Sequence, residues 1–175
     1  MPNIVLTRNT YPDSAALNNV ISYVLYKAVA RGGYGVDPDI DTAQTQMLFI
    51  KKAFYQTEAL QLKHFFITLD HTEAAYIDND ELLQIGFMTG QLFREYQMVY
   101  GVHYDGSHVH LHIVMNTTSF IDGHQYCDGI KMFNLLCGLI KHLYPQFEVN
   151  LYRTRGYSKD NPYSITDRDN YLRYY

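Results

Sequence analysis

The chain has 175 residues, 47% of them hydrophobic and 18% charged, with a formal net charge of −4. That is enough apolar material for one well-buried domain and short for two, while the charge argues against a generic duplex-DNA binder held by a broad basic surface. No eighteen-residue apolar run and no charged-then-apolar leader occur, so the expectation is one soluble, cytoplasmic domain over residues 1–175, with Cys127 and Cys137 reduced and no membrane insertion.

In chain order, Asn3 to Thr7 reads as a short strand. Asp13 or Ser14 caps a helix from Ala15 to about Arg31, in which Leu17, Val20, Ile21, Val24, Leu25 and Ala28 make an apolar stripe, and Gly32-Gly33 stops it. A loop through Val36-Asp-Pro-Asp-Ile-Asp41 leads to a second helix over about Thr42 to Tyr55. Gln61 to Leu69 is a predicted strand carrying Phe65, Phe66 and Ile67. Asn79 or Asp78 caps a helix from Glu81 to Tyr96, which runs into a hairpin of Gln97–Tyr104 and Val109–Asn116. A turn at Asp122-Gly123, a helix from Gly129 to Tyr144 and a strand from Phe147 to Tyr152 follow. This order predicts an α+β fold, a central antiparallel β-sheet with helices packed on one face and the histidine side open.

The chemistry concentrates in the hairpin. Alternation points His108, His110, His112 and Val114 one way and Val109, Leu111, Ile113 and Met115 the other. A turn at Asp105-Gly106-Ser107-His108 sets His103 opposite His110, and Gly101 opposite His112, where the missing side chain leaves room for an ion. Neutral imidazoles on adjacent rows can then converge as a three-nitrogen set with open coordination positions, and Asp105 can orient one ring. One strand histidine is ordinarily a satisfied core or surface residue. Four between His103 and His112, with aliphatic residues at the alternate positions after His108, point to metal or catalytic chemistry. Further on, Tyr152-Arg-Thr-Arg-Gly-Tyr-Ser-Lys159 sets tyrosines beside Arg153 and Arg155, a composition suited to unstacked bases; in a chain with 17 tyrosines, plain packing suits it equally.

These residues resemble the relaxase domain of plasmid and conjugative-element mobilisation proteins, of the MobA/MobL or MobP kind, within the HUH endonucleases, whose palm is HUH/RRM-like. That family follows a histidine two positions later with an acidic residue, seven and nine later with His-x-His, and thirteen later with Asn. His103, Asp105, His110, His112 and Asn116 stand at those places. Lys63-His-Phe-Phe-Ile-Thr-Leu69 is similar to the family's buried strand that ends in a hydroxyl residue, here Thr68 where Ser is usual. Asn19-Val-Ile-Ser-Tyr-Val-Leu-Tyr-Lys27 is similar to its first helix, with Tyr23 the best match for the nucleophile and Tyr26, three residues on, a rival.

The resemblance implies tyrosine attack on a scissile phosphate of single-stranded DNA at an origin of transfer, leaving a 5′-phosphotyrosine and a free 3′-hydroxyl. It implies a divalent cation on His103, His110 and His112, Mn²⁺ or Mg²⁺ in use and Zn²⁺ or Ni²⁺ readily acquired. His108 or Asp105 is the candidate base, and Lys27, Thr68, Asn116, Arg153 and Arg155 are candidate DNA contacts. Accessory relaxosome proteins and a coupling protein are the implied partners. Three other readings compete. His108-Val-His-Leu-His-Ile-Val114 also matches the pattern of HIT nucleotide hydrolases and transferases, in which the middle histidine attacks an α-phosphate without metal. A cupin-like site needs a downstream Glu that is missing beside His124, and a non-catalytic metal- or DNA-binding module would keep the histidines without turnover.

Overall fold

The computed structural model describes residues 1–7, 11–106, 108–127, 129–153 and 172–173. Its elements are β1 (Asn3–Leu6), α1 (Ser14–Tyr26), β2 (Ala30–Tyr34), α2 (Ile40–Ala53), β3 (Leu62–Asp70), α3 (His71–Ala74), α4 (Asn79–Leu92), β4 (Met98–Asp105), β5 (His108–Asn116), α5 (Ile130–Leu143), β6 (Asn150–Arg153) and β7 (Leu172–Arg173). The strands form one sheet in the order β2-β4-β5-β3-β1-β6-β7. All neighbours are antiparallel except β1 and β6, so the sheet of this α+β fold is mixed.

The helices start where short polar side chains can take up orphan N–H groups. Asp13 accepts from Ala16 N at 2.8 Å to open α1, Asp39 does the same for α2, and Asp78 forms a capping box with Glu81 for α4. On one sheet face Val109, Leu111, Ile113 and Met115 pack with Phe65, Ile67 and Leu69 against Leu82 and Ile85 of α4 and Phe133, Leu136 and Ile140 of α5. This is the helix-covered face that the alternation predicts. A smaller cluster joins Leu17, Ile21, Val24 and Leu25 of α1 and Met47 of α2 to Val99 and Val114 on the opposite face. These two helices therefore cover one end of the histidine face and leave its other end open.

The helix expected to reach Arg31 ends at Tyr26, and Gly32-Gly33, expected to stop it, lie inside strand β2. The reason is contact across the sheet. A Cβ at Gly32 would stand 2.4 Å from the Tyr100 ring, so glycine lets that aromatic lie on the strand while β2 pairs with β4 and satisfies its backbone. The Glu81–Tyr96 helix likewise begins at Asn79 and ends at Leu92. No helix among the described residues is long and apolar enough to cross a membrane.

Candidate active site

The hairpin closes as its spacing predicts, with His103 paired to His110, Gly101 to His112, and Asp105 to His108 across a turn in which Gly106 takes a positive φ of 57°. Strand β3 lies on the other side of β5, with Phe66 opposite His112, Thr68 opposite His110 and Asp70 opposite His108. Together these rows floor a cleft of about 880 Å³. Among the expected residues, Tyr23, Lys27, Thr68, His103, Asp105, His108, His110 and His112 all line it.

Helix α1 forms its wall. The Tyr23 ring meets the rings of His103 and His112 edge-on, with centroids 5.4 and 5.6 Å away, and Lys27 Nζ stands 5.2 Å from the Tyr23 centroid. His103 donates from Nε2 to Val24 O at 2.7 Å, so the residue after the tyrosine holds a histidine of the floor. The space beside Gly101, expected to admit an ion, belongs instead to α1. A Cβ at Gly101 would lie 2.5 Å from Val24 O and 2.8 Å from Ala28 Cβ, so the glycine is there to let the helix approach.

Burial keeps the imidazoles neutral. Desolvation lowers the pKa of His103, of His110 and, further, of His112, whose neighbours His64, His103 and His110 add to the effect. Ring centroids of His103 and His112 are 4.6 Å apart, and those of His110 and His112 5.8 Å. His110 Nδ1 is buried with no hydrogen-bond partner. Neutral nitrogen donors, close spacing and one orphaned buried nitrogen fit a divalent cation in type. Among the described residues no three His, Cys, Asp or Glu side chains converge as a ready-made ion site.

Two expected residues, Tyr26 and Asn116, do not join the cleft, and two others fall outside what is described. Tyr26 is 82% exposed and does not line it. Asn116, expected to contact DNA, is 0% exposed; its amide donates to Met47 O and Gln97 Oε1, and its oxygen accepts from Thr118 N, which makes it a structural tie at the far end of β5. Arg153 contributes backbone to β6, its side chain lying outside what is described, and Arg155 lies outside the described residues. Conversely, His64, Phe66 and Asp70 stand on the cleft face with Thr68, and Tyr104 and Tyr152 line the cleft. Period-two alternation through Lys63–Leu69 carries that signal, since His64, Phe66 and Thr68 fall on one face.

A phenol set edge-on against a floor of neutral imidazoles, in a cleft with a lysine beside it, brings a candidate nucleophile and candidate metal ligands into one place. Residues 23–143 match the relaxase family, MobA/VirD2-like, nuclease domain, and the chain belongs to that family. Among solved structures it is similar to the MobM relaxase domain (MOBV) bound to 26-nt pMV158 oriT DNA, with 12% identity, a TM-score of 0.50 and coverage of 91% of this chain and 92% of that one. That likeness bears on the fold. No curated protein matches the chain. The family match sets aside the HIT and cupin readings.

Proposed function

We propose that this relaxase nicks single-stranded DNA at an origin of transfer and passes the strand through a covalent 5′-phosphotyrosine on Tyr23. The observation that carries the reading is the placement of Tyr23 over His103 and His112 while Tyr26, one turn on, faces solvent. Tyr23 Oη would form the new bond to phosphorus as the P–O3′ bond breaks, leaving a 3′-hydroxyl on one side and the 5′-phosphate on the enzyme. Lys27 sets a positive charge beside the phenol, where it would balance charge on the phosphate oxygens. Asp105 and His108, paired at the hairpin tip and lining the same cleft, are the proton acceptors at its mouth.

His103, His110 and His112 are the residues that would hold a divalent cation. When bound, the cation would polarise a phosphate oxygen and stabilise charge developing in the transition state. The charged groups of the described lining balance, Lys27 and the N-terminal amine of Met1 against Asp70 and Asp105, so the imidazole nitrogens are what would hold the cation. Single-stranded DNA would lie along the floor, with Phe66, Tyr104 and Tyr152 as surfaces for unstacked bases. Relaxosome and coupling proteins are the proposed partners, and residues 1–175 are read as one relaxase domain.

The test is incubation with 3′-end-labelled single-stranded DNA fragments tiled across both strands of the genetic element that carries the gene, with Mn²⁺ or with chelator, followed by denaturing electrophoresis and peptide mapping. A metal-dependent covalent adduct on Tyr23 is expected. Absence of any adduct, or label on His110 alone, would overturn the reading.

A further inference from the structure

His64 is the buried titratable group that the proposed reaction leaves without a task. It sits on β3 opposite Val114, one row further under α1 and α2 than Phe66 and His112. Its Nε2 stands 3.0 Å from His112 Nδ1, with ring centroids 5.2 Å apart and planes 27° from parallel. At that separation the rings meet edge to edge, the N–H of one aimed at the lone pair of the other.

Two neutral imidazoles can make this bond in only two ways. In one, His64 Nε2–H donates and His112 carries its own proton on Nε2, a donor with no acceptor among the described residues. In the other, His112 Nδ1–H donates and Nε2 keeps its lone pair for the cleft. Only the second makes His112 a ligand. His103 is already held in the complementary way, its Nε2–H spent on Val24 O and Nδ1 left as the lone pair. A ligating histidine is commonly oriented by a carboxylate, a carbonyl or water on its other nitrogen, and at His112 that place is taken by an imidazole.

We propose that His64 is a positioning residue that accepts the Nδ1–H of His112, fixing the tautomer and the ring plane that leave His112 Nε2 available to a divalent cation. This rests on the reading that His103, His110 and His112 hold the cation.

The experiment is calorimetric titration of Mn²⁺ alone into the wild type, His64→Leu and His64→Gln, with nitrogen NMR of the His112 ring in the metal-free protein. The wild type should carry the His112 proton on Nδ1. His64→Leu should weaken Mn²⁺ binding by about 10- to 100-fold and let the His112 tautomers mix. His64→Gln, whose side-chain oxygen reaches the position of Nε2, should bind Mn²⁺ close to the wild-type affinity. A wild-type His112 protonated on Nε2 overturns the proposal, and so does undiminished Mn²⁺ affinity in His64→Leu; should that variant not fold, the wild-type tautomer and His64→Gln still decide. A wild type that binds Mn²⁺ with the expected tautomer but forms no DNA adduct sinks the nicking reading and leaves this one standing.

Discussion

Gly101→Ala should damage the site without touching any group that does chemistry. The added Cβ would stand 2.5 Å from Val24 O and 2.8 Å from Ala28 Cβ, whereas ordinary contact begins at 3.4 Å. The nearer obstacle is backbone, so α1 as a whole must retreat from β4 by about 1 Å. Overpacking of this kind costs about 1–3 kcal/mol, readable as a lower denaturant midpoint at unchanged slope. Val24 O is also the acceptor that holds His103, and Tyr23 is its neighbour in the helix. The same retreat therefore lifts the phenol from the floor and loosens one histidine. A displacement of about 1 Å in a reacting group can cost about 10²-fold in rate, so adduct formation on single-stranded DNA should fall by that order while far-ultraviolet dichroism stays native. Ala28→Gly in the same chain should recover only part of the stability, because it removes the 2.8 Å contact and leaves the 2.5 Å one. Unchanged stability together with an unchanged adduct rate would refute the idea that the glycine exists to seat α1. Lost stability with full activity would show that the seating of α1 does not position Tyr23.

Tyr23→Phe keeps the edge-on ring contacts and removes only the hydroxyl, so melting should be near wild type while the covalent adduct disappears; Tyr26→Phe should form it normally, and an adduct surviving in Tyr23→Phe moves the nucleophile elsewhere. His110→Ala should fold, retain its dichroism and lose both Mn²⁺ binding by calorimetry and strand transfer, whereas full activity would argue against a catalytic cation. Lys51 is 0% exposed, bonded to Thr117 and Thr118 hydroxyls, and burial pushes its pKa down from 10.5 to about 8. Between those values the unfolded chain binds more protons than the folded one, so this residue should make stability rise with pH there, by about 3 kcal/mol in total. Lys51→Met leaves Thr117 donating to Leu60 O and Thr118 accepting from Gln125. The variant should lose that rise, as measured by urea unfolding at pH 7 to 10.5 against wild type; equal pH profiles would show that burial does not lower the Lys51 pKa.

Period-two alternation makes the hairpin legible in the amino-acid sequence, because one turn position settles which residues face each other and on which side. His103 against His110 and Gly101 against His112 follow from it directly. The third strand of the floor is harder to see. Lys63–Leu69 carries phenylalanines at adjacent positions, and the apolar run masks an alternation in which His64, Phe66 and Thr68 turn toward the cleft and Phe65, Ile67 and Leu69 toward the core. Local rules also misplace Gly32-Gly33. Paired glycines after an apolar helical stripe read as a stop, and only the Tyr100 ring on the neighbouring strand explains them as strand residues. Asn116 fits the family spacing yet is 0% exposed, which shows that spacing reports the frame of the hairpin as well as its chemistry.

The charge of the chain bears on how such a cleft would hold a polyanion. With a formal net charge of −4, the protein has no general attraction for DNA to draw on. Its described cleft lining balances Lys27 and the Met1 amine against two carboxylates, Asp70 and Asp105, at the end of the histidine rows. Without a cation, a lining of this composition carries no net positive charge to draw phosphate. The same carboxylates favour a cation on the neighbouring imidazoles, which desolvation already keeps neutral. Loading that cation would make the local charge positive, so that phosphate attraction arises at the reacting centre and not over the surface at large. Aromatic faces at Phe66, Tyr104 and Tyr152 would then contribute base stacking that needs no charge. On this account the acidity of the chain makes DNA engagement depend on the loaded site, which couples binding of the strand to readiness for its cleavage.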